Sequence, residues 1–271
     1  MSKTILITGA TDGIGLATAK VLAAEGHHIL LHGRSQAKLD AAMAAVEGMK
    51  GTATGYLADF ADLTDVDRLA DEIAANHDQI NVLINNAGVL KVADPITEQG
   101  LDVRFVVNML APYVLTRKLL ALMRANSRII NLSSAAQAPV NLSALVGRAK
   151  LDDMGAYAQS KLAITMWTRS LARSLPDGPI VLAVNPGSLL ASKMVQEGFG
   201  VTGGDLGKGA DILRRASLTD EFSGASGEYF DNDIGQFGAP HRDAFDAAKV
   251  AAVVETVDQT VSDILSRSAN D

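Results

Sequence analysis

Thr4-Ile5-Leu6-Ile7-Thr8-Gly9-Ala10-Thr11-Asp12-Gly13-Ile14-Gly15 opens the chain and sets its architecture. Thr4 to Thr8 are mostly β-branched and apolar, the composition of a strand buried on both faces of a parallel sheet. Glycines at 9, 13 and 15 follow, and Leu16 to Glu25 has helical spacing. A strand that passes through a glycine-rich turn into a helix aims unpaired N–H groups and a positive dipole end at a phosphate. By itself the spacing also fits an ordinary tight turn.

The same alternation continues. Strands are expected at His28–His32, Thr52–Ala58, Asn81–Ile84, Arg128–Leu132 and Pro179–Val184. Helices are expected between them at Ala37–Val46, Leu63–Ala75, Gly100–Ala125 and Ala156–Ser174. Strict strand-helix alternation gives α/β architecture, a doubly wound parallel sheet with helices on both faces. Right-handed crossovers leave 3-2-1-4-5-6 as the expected strand order, and Gly227–Phe230 adds a seventh, edge strand (3-2-1-4-5-6-7). A terminal helix is expected over Ala244–Leu265, and residues 1–271 read as one domain. Ligands on such a sheet bind beyond the carboxyl ends of its strands, and that is where the unusual polar residues fall.

Composition narrows the function classes. The 271 residues carry 24 basic and 31 acidic side chains, a net charge of −7, with no basic block that would suit nucleic acid. There is no cysteine, hence no thiolate site. His27 and His28 lack partners at ligand spacing, so no metal is expected. With the first strand starting by Thr4 and no run of about 18 apolar residues, neither a signal peptide nor a membrane span is expected. The reading is a soluble, cytoplasmic protein.

Tyr157 and Lys161 lie four apart on one helix and share a face. A phenol has a reference pKa of about 10, and bringing it near neutrality takes about 4 kcal/mol of differential stabilisation. An adjacent ammonium acts with the right sign, because it favours the phenolate. Ser133 and Ser134 close the fifth strand, a usual place for turn hydroxyls. Asn108 is a polar amide within an apolar helix, as fitting for a paired core asparagine as for a functional group. Asp59 ends the third strand, where it could cap the next helix.

Thr8-Gly9-x-x-x-Gly13-x-Gly15, Asn85-Asn86-Ala87-Gly88, Asn108, Ser134, Tyr157-x-x-x-Lys161 and Asn185-Pro186-Gly187, in that order, resemble the short-chain dehydrogenase/reductases. The resemblance covers residues 4–187 and implies a single-domain Rossmann fold. It implies that Tyr157 exchanges the proton at the substrate oxygen and that Ser134 bonds that oxygen. Lys161 would lower the phenol pKa and hold the nicotinamide ribose, and Asn108 would extend the proton relay through a water. It further implies a dinucleotide bound by Gly9, Thr11, Asp12, Gly13, Ile14, Gly15, Asn86, Ala87 and Gly88. Asp59 would take the adenine amino group, and Pro186, Gly187 and Ser192 would border the nicotinamide.

The second strand ends in Gly33-Arg34 where an acidic residue would select NAD(H), and a guanidinium can pair with a 2′-phosphate. NADP(H) is therefore preferred over NAD(H), although Asp12 stands where many NADP-dependent relatives carry a basic residue. The long connection 135–156 and Ser226-Gly227-Glu228-Tyr229-Phe230 are similar to the branch of retinol dehydrogenases and protochlorophyllide reductases. The reading is hydride transfer between NADP(H) and a small-molecule carbonyl or alcohol. Its alternatives are an NAD-preferring dehydrogenase and a non-catalytic NAD(P)-sensing regulator. Residues 190–217, with glycines at 198, 200, 203, 204, 207 and 209, are expected to form a substrate lid, and Gln137–Asp153 to line the pocket with it. Apolar residues on several faces of Gly100–Ala125 and Ala156–Ser174 predict a homodimer or homotetramer through those helices.

Overall fold

A computed structural model describes residues 1–188, 190 and 203–268. Within them β1 (Thr4–Ile7), β2 (His28–Gly33), β3 (Thr52–Leu57), β4 (Val82–Asn85), β5 (Arg128–Leu132), β6 (Ile180–Asn185), β7 (Tyr229–Asp231) and β8 (Gln236–Gly238) form one sheet. Its order is β3-β2-β1-β4-β5-β6-β7-β8. All pairs are parallel except β7–β8, which is antiparallel. The expected order therefore holds, with one addition. β8 escapes notice in the sequence because only Phe237 in Gln236-Phe237-Gly238 is a strong strand former.

Alternation along the strands divides the core. Ile5, Ile7, Ile29, Leu31, Val82, Ile84, Ile130 and Leu182 face α1 (Gly13–Ala24), α2 (Gln36–Ala44) and a later helix, Leu206–Leu218. Leu6, Leu30, Leu83, Ile129 and Val181 face the other layer, built on α3 (Leu63–Asn76) and the helices after β4. Adjacent residues pointing to opposite, equally apolar layers explain why the strands read as continuous hydrophobic runs.

The single helix expected over Gly100–Ala125 is shorter and irregular. Gly100 sits at φ +79 in the preceding turn, and Asp102 caps the start by accepting from the Arg104 amide. α4 (Val103–Phe105) passes into a π-helical turn at Val106–Leu110, then α5 (Ala111–Leu119) and a final 3-10 turn, Leu120–Leu122. Val103–Leu122 is long and apolar enough to cross a membrane by length and composition, but 72% of its most apolar window is buried inside the protein. α6 (Leu142–Leu145) lies in the long connection, and α7 (Asp153–Ser174) carries Tyr157 and Lys161.

α8 (Leu206–Leu218) packs on α1, and a Cβ added at Gly209 would lie 2.8 Å from Leu190 Cδ1 and 3.2 Å from Ile14 Cγ2. Of residues 190–217, expected as a lid, 206–217 thus lie in a helix whose Ile212, Leu213 and Ala216 are core. Residues 191–202, including Ser192, lie outside the described residues.

α9 (Ala247–Ser268) changes the basis of the oligomer expectation. Its Val250, Val253, Val257 and Val261 are buried in the core with Leu110, Leu115, Leu119, Leu162, Met166 and Trp167. Asp258 accepts from the Tyr113 hydroxyl at 2.6 Å and pairs with Arg117. Those apolar residues are buried within the chain, with α9 packed on α7, and a homodimer or homotetramer is a question for sedimentation.

Candidate active site

Gly9 adopts φ +63, and a Cβ there would sit 2.9 Å from the Ala87 Cα. At Gly15 it would meet the Gly9 carbonyl oxygen at 2.4 Å and Asn86 Nδ2 at 2.5 Å. Asn86 Nδ2 donates to the Thr8 and Gly9 carbonyls, and Thr8 Oγ1 accepts from the backbone N–H groups of Asn86 and Ala87. The loops after β1 and β4 are therefore one unit, with Gly88 at its outer end. Gly13, at φ +53, starts α1 beyond this unit. This cradle, lined by glycine backbone at a helix N-terminus, fits a dinucleotide pyrophosphate.

The cradle is also tied to β2 and β3. His32 is buried, accepts from the Gly9 amide at Nδ1 (3.2 Å) and therefore donates from Nε2 to the Ala58 carbonyl (3.0 Å). Its ring stacks on Phe60 with centroids 4.1 Å apart. Burial pushes its pKa down to about 4, which keeps the imidazole neutral. His32 draws no attention in the sequence; the available signal was a histidine at a strand's carboxyl end within an otherwise apolar run.

Arg34 is exposed and makes no ion pair among the described residues. Beside it, a Cβ on Gly33 would lie 2.3 Å from Thr11 Cγ2, so an acidic side chain there requires Thr11 to move. Asp12 caps α1, accepting from the Gly13 amide at 2.7 Å, while Lys38 Nζ lies 3.5 Å from its other oxygen. Asp59 accepts from the Ala61 amide at 3.0 Å; the cap of α3 is Asp62.

On the other side of the β1/β4 switch point, Lys161 is buried and donates to the Leu132 carbonyl at 2.8 Å. Its Nζ lies 5.6 Å from the centre of the Tyr157 ring. Burial lowers the Lys161 pKa to about 8. Burial raises the Tyr157 phenol above its ordinary value, while a hydrogen bond with the Ser134 hydroxyl acts in the opposite direction. Ser133 points elsewhere: it is buried, 2.6 Å from Thr165 Oγ1. Geometry thus separates two serines that are equivalent in the sequence.

Asn108 lies at the centre of the π-turn. It accepts from the Val89 amide at 2.8 Å and donates to the Val89 carbonyl at 3.0 Å and to Ser160 Oγ at 2.9 Å. π-turns inside α-helices are frequent at functional sites, where the extra residue re-aims a side chain. Arg104, 1% exposed, locks the start of this helix to α7. It donates to both carboxylate oxygens of Asp102 (2.8 and 2.6 Å) and to Asp153, one helical turn before Tyr157. Pro186 and Gly187, the latter at φ +125, close β6, which pairs with β5 up to Leu132, just before the two serines.

The profile of a family described as short chain dehydrogenase matches residues 3–199. Human Retinol dehydrogenase 13 is 32% identical over 278 residues, covering 91% of this chain and 81% of that protein. The solved structure of an uncharacterized protein from Mycobacterium paratuberculosis superposes with TM-score 0.79 at 29% identity, covering 96% of this chain and 93% of that one. A short chain dehydrogenase from Burkholderia cenocepacia in complex with NADP gives TM-score 0.67 at 28% identity, over 86% and 97% of the two chains. This chain belongs to the short-chain dehydrogenase/reductase family, enzymes that act on alcohol and carbonyl groups, and to its retinol dehydrogenase branch.

Proposed function

We propose that the protein is an NADP(H)-dependent carbonyl reductase or alcohol dehydrogenase in which Tyr157 is the general acid/base. The observation that carries the reading is the convergence of the Ser134 hydroxyl, the Tyr157 phenol and the Lys161 ammonium beside the glycine cradle. When bound, the cofactor supplies or accepts hydride at nicotinamide C4. Gly9, Thr11, Asp12, Gly13, Ile14 and Gly15 would bind it at the pyrophosphate, with Asn86, Ala87 and Gly88 as the facing wall. Asp59 would bond the adenine, and Pro186, Gly187 and Ser192 would meet the nicotinamide.

In the reducing direction Tyr157 gives its proton to the substrate oxygen, and the Ser134 O–H donates to the charge that develops there. Lys161 is the cation that favours the resulting phenolate, and a lysine titrating at about 8 still carries its charge at neutral pH. Asn108, fixed by Val89, would hold the water through which the proton is replaced. Arg34 favours NADP(H) through the 2′-phosphate, and the relative solved with NADP lends support. The lid expected over residues 190–217 would border the substrate together with Gln137–Asp153. A cytoplasmic site of action belongs to the same reading, and cell fractionation checks it.

The test is NADPH oxidation across a panel of ketones, aldehydes and quinones, with Tyr157→Phe beside the wild type. The variant should retain NADPH binding and lose turnover by about 10²-fold or more. Near wild-type turnover in Tyr157→Phe would reject the catalytic role. NADPH binding by the wild type with no turnover on any panel member would favour the sensing alternative.

A further inference from the structure

The β7–β8 hairpin touches both irregular loops of the site. Tyr229 is 3% exposed, and its hydroxyl donates to the Ser134 carbonyl at 3.1 Å. The same carbonyl accepts from Gln137 Nε2 at 2.8 Å, and Gln137 Oε1 accepts from the His241 amide, on the chain leaving β8. At the turn, Asp233 accepts from the Ser188 amide (2.7 Å), from the Ser188 hydroxyl, and from Asn185 Nδ2 (2.9 Å). Asn232 Nδ2 donates to the Pro186 carbonyl at 2.9 Å. Burial pushes the Asp233 carboxyl up, and the donors on Ser188 and Asn185 outweigh it, holding it below the usual carboxylate range.

We propose that this hairpin positions the active site, Tyr229 orienting the Ser134 loop and Asp233 the Pro186–Ser188 loop that borders the nicotinamide; the assignment rests on the function proposed above. Neither loop has regular structure of its own, so each takes its register from outside ties. The hairpin is suited to supply them. β7 is paired in register with β6 (Ala183↔Tyr229 to Asn185↔Asp231). Phe222, Phe230 and Phe237 clamp it through mutual ring contacts, with centroids 5.2 to 5.5 Å apart. A site held by supporting hydrogen bonds on rigid elements loses rate when one bond is removed, because small displacements spoil the reacting geometry.

The two ends predict different losses. Tyr229→Phe removes one hydroxyl and keeps the buried ring. Asp233→Asn keeps the shape but turns an amide toward three donors, so at least one contact becomes repulsive. NADPH affinity is read by calorimetry, and turnover on any carbonyl that the wild type reduces. Asp233→Asn should weaken NADPH by about tenfold. Tyr229→Phe should leave NADPH affinity within about twofold while kcat falls about tenfold and the Tyr157 limb of the pH–rate profile moves up. An NADPH affinity unchanged in Asp233→Asn, or both variants losing the same quantity in step with thermal stability, would overturn the proposal. If the wild type binds NADPH and reduces no carbonyl, the proposed function falls separately. The Asp233→Asn affinity, which needs no turnover, then decides for or against the hairpin.

Discussion

His32 Nδ1 accepts the Gly9 amide at 3.2 Å, so a neutral imidazole fastens the glycine turn after β1 to the second strand. The opposite nitrogen reaches Ala58 on the third strand's end, which makes one side chain a brace across three loops. With a folded pKa of about 4, His32 is neutral between pH 4 and 6.5 where the unfolded imidazole takes a proton. Unfolding therefore binds a proton in that window, and stability falls as pH drops through it, by about 3 kcal/mol in total. Urea denaturation from pH 7 to 4 should show this loss. His32→Asn should flatten the slope, lower stability at pH 7 by about 1–3 kcal/mol and weaken NADPH.

Two opposing charges, Arg34 and Asp12, test the proposed cofactor preference. Arg34→Ala should weaken NADPH by about tenfold with NADH little changed, since the lost partner is the 2′-phosphate. Asp12→Asn should do the reverse, tightening NADPH selectively, because Asp12 stands where many NADP-dependent relatives carry a basic residue and its carboxylate would repel the 2′-phosphate, the one group NADH lacks. Calorimetric titration with both cofactors checks the pair, and equal effects on NADH and NADPH would make each a bystander.

Ser133→Ala and Ser134→Ala form a matched test. The first removes a buried bond to Thr165 and should cost about 1 kcal/mol of stability while leaving kcat close to wild type. The second should leave stability nearly unchanged and lower kcat by about 10²-fold. Thermal melts alongside kinetics separate them.

Arg104 holds α4 against α7 through two aspartates, with its own side chain 2% exposed. Hydrogen bonding to Asp102 raises its pKa further against burial, so it is charged at every working pH. Removing one member of a buried pair strands the other, and Arg104→Ala should destabilise the fold by about 3–5 kcal/mol. Arg104→Met together with Asp102→Leu should recover part of that loss in chemical denaturation, because both charges leave together. No recovery would mean that the triad is needed for more than its charge balance.

Close-range chemistry was open to reading from the sequence. Glycine at 9, 13 and 15 declares a turn that side chains would block, and strand-helix alternation leaves few sheet orders. Tyr157 and Lys161, one helical turn apart, meet whatever else the chain does. Tertiary structure alone settled the rest, because each remaining feature joins residues far apart. Ser134 differs from Ser133 only through which neighbour each faces, Tyr157 or Thr165. His32 matters only once Gly9 and Ala58 lie on either side of its ring. The apolar face of α7 does not say in the sequence which segment packs on it, and in the fold it is α9, from the far end of the chain. Periodicity tells that a face must be covered, but the covering segment is chosen by long-range packing, which local sequence does not encode.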